Sequence, residues 1–394
     1  MLLSVGKGLF LATVMVYLLQ VAGLSALTAT TAMSVWGAAS VAATIPAGML
    51  IDRGKGGWLG AVCSVCTAVL LPATVQVHTT WMLMLVLCVA GACDSAGNVT
   101  RRALFASGSG DGVSALAWAR TVSNVGFALG GLFSVWLLSV NSQAGYQFSY
   151  LLAGGGYLVM AVCFVTTSLG AGARNQADDP EPAAAEATAP QRSDSVRRGI
   201  TLAAATAILT VHATLLSTIM PLWVTQHTSV PVAVLGWLVM LNTLITVVGQ
   251  IPVSKHAVTA EGALRCLKRS AVWTSACCVL LGTVSFTSSG WQVGVLVAAV
   301  IALTLGELFE AAGEWGLSAT LASHGEHGLF QSACAFGEST QSAVGPLLVA
   351  SMVTAFPTIG WLFLISMIGG GRFLAGFLSP ARSPKRALAA AGAE

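Results

Sequence analysis

Apolar runs of bilayer-spanning length recur along the entire chain, near 8–28, 31–51, 57–77, 81–105, 114–138, 148–168, 199–223, 233–253, 269–287, 292–321, 329–352 and 358–379. About twenty consecutive apolar residues cross the hydrocarbon core as a helix. The pattern therefore predicts an all-α membrane protein of twelve spans. Between the sixth and seventh runs the character changes. Residues 170–198 are rich in Ala, Pro, Asp and Glu and contain no aromatic residue. That composition reads as a disordered linker. It divides the chain into a six-helix half at 1–169 and a second at 199–394 that ends in a short tail. The halves echo each other: Ala43-Thr44-Ile45-Pro46 closes span two, and Gly249-Gln250-Ile251-Pro252 closes span eight. Repeated halves with a site at their interface are the usual build of secondary transporters.

Polar residues break the pattern at particular places. The sharpest is Leu303–Leu321 in span ten, which holds Glu307, Glu310 and Glu314. Steps of three and four put these on one helical face, spread over about 10 Å. An acid at the centre of a spanning helix costs about 3 kcal/mol, so this face is expected to border a cavity. Glu307, nearest mid-membrane, is the first candidate for proton coupling or substrate binding, with Glu310 next. Glu314, closer to the cytoplasm, is expected to pair with an Arg such as Arg101. Further inward-facing candidates are Asp94 and Asn98 in span four, Arg120 and Asn124 in span five, Asn242 in span eight, and Glu338 and Gln341 in span eleven. Asp94 is expected to meet Arg101 and Arg120, because buried charges survive only when paired. Tyr17, Gln20 and Thr28 are the polar residues of span one, and His212 is a candidate relay in span seven.

Composition agrees. Of 394 residues, 55% are hydrophobic and 8% charged, with a mean hydropathy of +0.80, where soluble proteins carry about 25% charged residues. The net charge of +3 points to no nucleic acid, since the basic residues are confined to particular loops. Arg53, Lys55, Arg101, Arg197, Lys255 and Arg269 all fall on one side. The loops around Ala29, His78, Asn141, His227, Ser288 and Pro357 hold no Lys or Arg. By the positive-inside rule both termini are cytoplasmic, and the Ala- and Gly-rich usage suggests a high-GC bacterium and hence the cell (inner) membrane. Trp81, Trp223, Trp291 and Trp361 sit at predicted outer ends, as an interfacial belt would.

Several chemistries are not expected. No Gly-x-x-x-x-Gly-Lys-Ser/Thr phosphate loop occurs, so ATP is not the energy source. No nucleophile–base pair points to an enzyme, and no cofactor is expected. The nine cysteines read as packing residues, including Cys63 and Cys66 on one face of span three. His324, Glu326 and His327 resemble metal ligands, but one short loop without a second cluster makes no metal site.

The loop after span two reads Gly48-Met-Leu-Ile-Asp52-Arg53-Gly-Lys55. With twelve spans and a central linker, it resembles the major facilitator superfamily over essentially the whole chain. In that family the loop reads Gly-x-x-x-Asp-Arg-x-Gly-Arg-Arg/Lys. Gly48, Asp52 and Arg53 match, whereas Lys55 stands at the Gly and Gly56 and Gly57 replace the basic pair. The resemblance implies that Asp52 and Arg53 gate the cytoplasmic side by contacts near the start of span eleven. Gly126, Gly130 and Gly131 of span five are similar to the Gly-Pro-x-x-Gly-Gly element of the drug/proton-antiporter branch. Phe127 stands at its Pro and Val122 at its upstream Gly. The implied activity is proton-coupled efflux of a small amphipathic, cationic compound by a monomer using alternating access. Uptake or facilitated diffusion of a small solute is the first alternative, and a non-transporting sensor or scaffold the second.

Overall fold

The computed structural model describes residues 1–77, 79–107, 112–140, 143–177, 189–231, 233–322 and 326–378. Twelve helices follow in order among them, with no strand. The first half holds α1 (Leu2–Val16, extended by a π turn Tyr17–Val21), α2 (Ala26–Leu50), α3 (Gly56–Ala73), α4 (Thr80–Ser107), α5 (Gly112–Val140) and α6 (Gln143–Ala177). The second half opens with α7, which is broken into Ala189–Leu209, Val211–Thr214 and Met220–His227 around a π turn at Leu215–Ile219. It continues with α8 (Ala233–Ser254), α9 (Ala260–Thr283), α10 (Ser289–Leu321), α11 (His327–Ala355) and α12 (Pro357–Gly376).

Eight stretches of the described residues are long and apolar enough to cross a bilayer, one of them running through both α2 and α3. α1, α5 and α11 are not among them. In α11, Gln331, Ser332 and Gln341 lower the hydropathy, and all three are buried inside the bundle rather than set against lipid.

Helix pairing repeats at an offset of six. In the first half α1 packs on α5 and α6, α3 on α4 and α6, and α2 on α4; in the second, α7 packs on α11 and α12, α9 on α10 and α12, and α8 on α10. The contacts between halves obey the same symmetry, α2 on α11 matching α5 on α8. The first half has an apolar core of its own, and the core of the second half is joined by Ala106, Leu116 and Ala117 of the first. That of the first is an aromatic cluster of Phe10, Tyr17, Tyr146 and Tyr150.

Several boundaries differ from the sequence pattern. α1 ends before Gly23, whose φ of +66° turns the chain. Ser25 then caps α2 by accepting a 3.2 Å hydrogen bond from the Thr28 N–H, so Thr28 belongs to α2 rather than span one. The linker expected at 170–198 is helical at both edges, up to Ala177 and from Ala189. At its second edge Asp194 pairs with Arg197 at 2.9 Å and Arg198 at 2.8 Å, the helical spacing that supports an exposed first turn. Residues 178–188 lie outside the described residues. The tryptophan belt is also only half present. Trp81 and Trp291 are 69% and 73% exposed, but Trp223 and Trp361 are 2% and 5% exposed. Those two meet edge to face at 5.2 Å with His227 stacked on Trp223 at 3.7 Å, tying α7 to α12.

The reversal between α2 and α3 rests on Gly54, whose φ is +77°. A side chain there costs about 1–2 kcal/mol. Gly54→Ala is expected to lower the thermal unfolding midpoint in detergent. Gly37→Ala, a helical position with nothing within 4 Å of an added Cβ, is expected to leave it equal or higher.

Candidate functional site

The acidic face of α10 turns into the protein. Glu310 and Glu314 are 2% and 1% exposed; Glu307 and Glu314 each meet an arginine, and Glu310 faces a histidine. Arg120 of α5 donates from Nη2 to Glu307 Oε1 at 2.7 Å, and Asn242 of α8 donates to Glu307 Oε2 at 3.1 Å. Arg102 of α4 donates from the same Nη2 to Glu314 Oε1 at 3.2 Å and to Glu338 Oε1 of α11 at 2.7 Å. Glu310 stays within its own half, 3.5 Å from His212 Nε2 and 3.4 Å from the Thr210 hydroxyl. The break in α7 after Leu209 is what brings Thr210 and His212 to this carboxylate.

Around the larger cavity charge is sorted by half: Arg101, Arg102 and Arg120 come from the first half, and Glu307, Glu310, Glu314 and Glu338 from the second, while Lys7 and Asp94 pair within the first half. The Arg120 and Arg102 pairs therefore bridge the two halves. Removing one partner of such a buried pair costs about 3–5 kcal/mol, because the other is left charged and desolvated. Around the bridges lies a cavity of about 520 Å³, whose wall includes Asn98, Arg101, Asn124, Glu307, Glu310 and Glu338. A side chamber of about 140 Å³ adjoins it inside the first half, sharing Asn98, Arg101, Ser123 and Phe127 with the larger cavity.

Some expected partners are replaced. Glu314 meets Arg102, not Arg101, since neighbouring helix residues point about 100° apart. Asp94 meets neither Arg101 nor Arg120. It accepts from Lys7 Nζ at 2.6 Å and from the Tyr157 hydroxyl at 2.6 Å. Lys7 reads as a loop residue in the sequence, but α1 begins at Leu2 and carries it inside the helix. Gln341 donates to Thr214 at 3.2 Å within the second half. His324 of the possible metal cluster lies outside the described residues.

Asp52 closes one end of the bundle. Its carboxylate accepts the backbone N–H groups of Gly328 at 2.6 Å and Leu329 at 2.9 Å. These are among the unpaired first-turn donors of α11, where the helix dipole favours an anion. Gly48 and Gly328 allow the approach: a Cβ on Gly48 would strike the Ser332 side chain and the Gly328 carbonyl, and one on Gly328 would strike the Gly48 carbonyl. Arg53 is exposed beside this contact. The span-five glycines divide. Gly126 and Gly130 press on Ser4, Val5 and Leu9 of α1, whereas Gly131 has nothing within 4 Å of an added Cβ.

Two helical halves bridged by buried ion pairs over a cavity, and closed at one end by a helix cap, have the architecture of a secondary transporter. The chain belongs to the Major Facilitator Superfamily, whose profile matches residues 1–201. It is accordingly a multi-pass membrane transporter rather than an enzyme. Among solved structures it is similar to a bacterial homologue of the iron transporter ferroportin in an outward-facing state, at 16% identity and a TM-score of 0.65, over 96% of this chain and 95% of that one. It is also similar to the E. coli fucose:proton symporter FucP, at 14% identity and a TM-score of 0.65, over 96% of each chain. A third is the human organic anion transporter MFSD10 (TETRAN), at 13% identity and a TM-score of 0.67, over 95% of this chain and 96% of that one. Likenesses this remote carry the fold alone. No curated protein sequence matches the chain.

Arg102→Met is expected to destabilise the protein by about 3–5 kcal/mol, because it strands the buried Glu314 carboxylate and takes the cation from the half-buried Glu338. Adding Glu314→Gln and Glu338→Gln should recover most of that loss. Equal unfolding midpoints for wild type and Arg102→Met would show that the bridge contributes nothing.

Proposed function

We propose that this transporter couples proton movement to the export of a small amphipathic compound by rocking its two halves about the central cavity. One observation carries the reading. A single guanidinium nitrogen of Arg102 holds both Glu314 and Glu338. Two like charges that close cannot both be balanced by one cation, so the pair is suited to hold a proton. Gaining a proton weakens the Arg102 bridge, and losing it restores the bridge. The charge state of α10 and α11 then sets whether the halves stay together at the Asp52 end. Glu307, bridged to Arg120 and Asn242, is the second switch. Glu310 with His212 is the relay between the cavity and these bridges.

The basic loops lie at the Asp52 end, which assigns that end to the cytoplasm under the positive-inside rule. In this state the cavity is sealed toward the cytoplasm by Asp52, Gly48 and Gly328. Export rather than uptake rests on the likeness of Gly126, Gly130 and Gly131 to the drug/proton-antiporter branch. Gly126 and Gly130 let α5 pack closely on α1 within the first half. A symporter would use the same bridges in the opposite sense. A cationic cargo is disfavoured, because Glu307 and Glu338 on the cavity wall already face Arg120 and Arg102.

Proteoliposomes with an imposed pH gradient, an internal pH dye and a panel of labelled small solutes test the proposal. The wild type is expected to accumulate its solute in proportion to the gradient. Glu338→Gln and Glu307→Gln are expected to keep gradient-free exchange and lose most gradient-driven accumulation. Full accumulation in both variants would reject the coupling role.

A further inference from the structure

Each cation of the two chambers meets an acid, except Arg101. Lys7 holds Asp94, Arg102 holds Glu314 and Glu338, and Arg120 holds Glu307. Arg101 donates to Asn98 Oδ1 at 2.8 Å, a neutral acceptor one turn back on its own helix. Among the described residues no carboxylate lies within ion-pairing distance of its guanidinium. Asp94 is two turns away on α4 and is committed to Lys7 and Tyr157. Arg101 also stands where the two chambers meet, since it lines both the 520 Å³ cavity and the 140 Å³ side chamber. The side chamber presents further donors, among them Lys7 and the hydroxyls of Ser4, Ser64 and Ser123, against the single carboxylate of Asp94.

A partly desolvated guanidinium without an anion is costly. Its planar fork is shaped for two parallel hydrogen bonds to a carboxylate or phosphate. We infer that the transported compound is an organic anion whose carboxylate or phosphate seats on Arg101 at the mouth of the side chamber. Its apolar body then lies in the larger cavity against Phe105, Leu116, Phe127 and Leu216. The cargo's anionic group takes the hydrogen bonds of a guanidinium that no carboxylate among the described residues reaches. The inference rests on the central cavity being the transport path and is independent of protons being the coupling ion.

The test is thermal unfolding of the purified protein in detergent with four matched probes: benzoate, phenyl phosphate, benzyl alcohol and benzylamine. At least one of the two anions is expected to raise the midpoint, while the alcohol and the amine leave it unchanged. Arg101→Gln should abolish the shift. Asn98→Asp should raise the midpoint without any probe, by supplying the missing carboxylate from within, and should also abolish the response. It serves equally if Arg101→Gln fails to fold. Arg265→Gln, a loss of the same charge at a 65% exposed side chain, should keep the response. Stabilisation by benzylamine instead, an anion response that survives Asn98→Asp, its loss in Arg265→Gln, or silence of the wild type to both anions would each overturn the inference. None of these results bears on the proton assay, in which failure of the Glu338→Gln and Glu307→Gln variants to change coupling would leave the anion seat intact.

Discussion

The structure depends on the ion pairs that join its two halves. Arg102 and Arg120 reach across from the first half to Glu314, Glu338 and Glu307 in the second. Neither set is tolerable alone inside an apolar bundle, where an unpaired charge costs far more than the pair. The bridges therefore do two things at once. They make buried acids affordable, and they make the contact between halves depend on charge. Apolar packing between the halves could not be switched by a single proton. A bridge in which one guanidinium serves two carboxylates can be.

The Asp52 contact is complementary. It also joins the halves, but through the first-turn N–H groups of α11. Its partners are backbone donors, so it depends on the approach of α2 to α11 and on the charge of Asp52 itself. The approach of α2 to α11 that it requires exists because Gly48 and Gly328 lack side chains. The end of the bundle is closed by shape and a helix dipole, the middle by charge. Separating the halves means undoing both.

Much of this was legible in the sequence, because a bilayer restricts what a chain can do. Only helices satisfy their own backbone in lipid, so apolar runs locate the helices and polar residues within them mark the interior. The turning of Glu307, Glu310 and Glu314 away from lipid follows from burial cost alone. Partner identity was not legible. Arg101 and Arg102 are adjacent, and which one reaches α10 depends on a rotation about α4 that spacing does not fix. Lys7 and Asp94 are 87 residues apart and meet because α1 starts earlier than its hydropathy suggests. Trp223 and Trp361 look like belt residues until tertiary packing brings them face to edge. Thr28 and the linker edges went astray because local caps and ion pairs, rather than hydropathy, fix helix ends.

The central claim is that protonation of the bridged carboxylates releases the halves at the Asp52 end. The most direct measurement is the distance between spin labels at the exposed positions Trp58 and Val258, one in each half at that end, followed against pH in lipid nanodiscs. The account predicts a short distance at high pH, a longer population growing as pH falls, and a long distance at every pH when Glu338 and Glu314 are both Gln. A distance distribution that ignores both pH and these substitutions would contradict it.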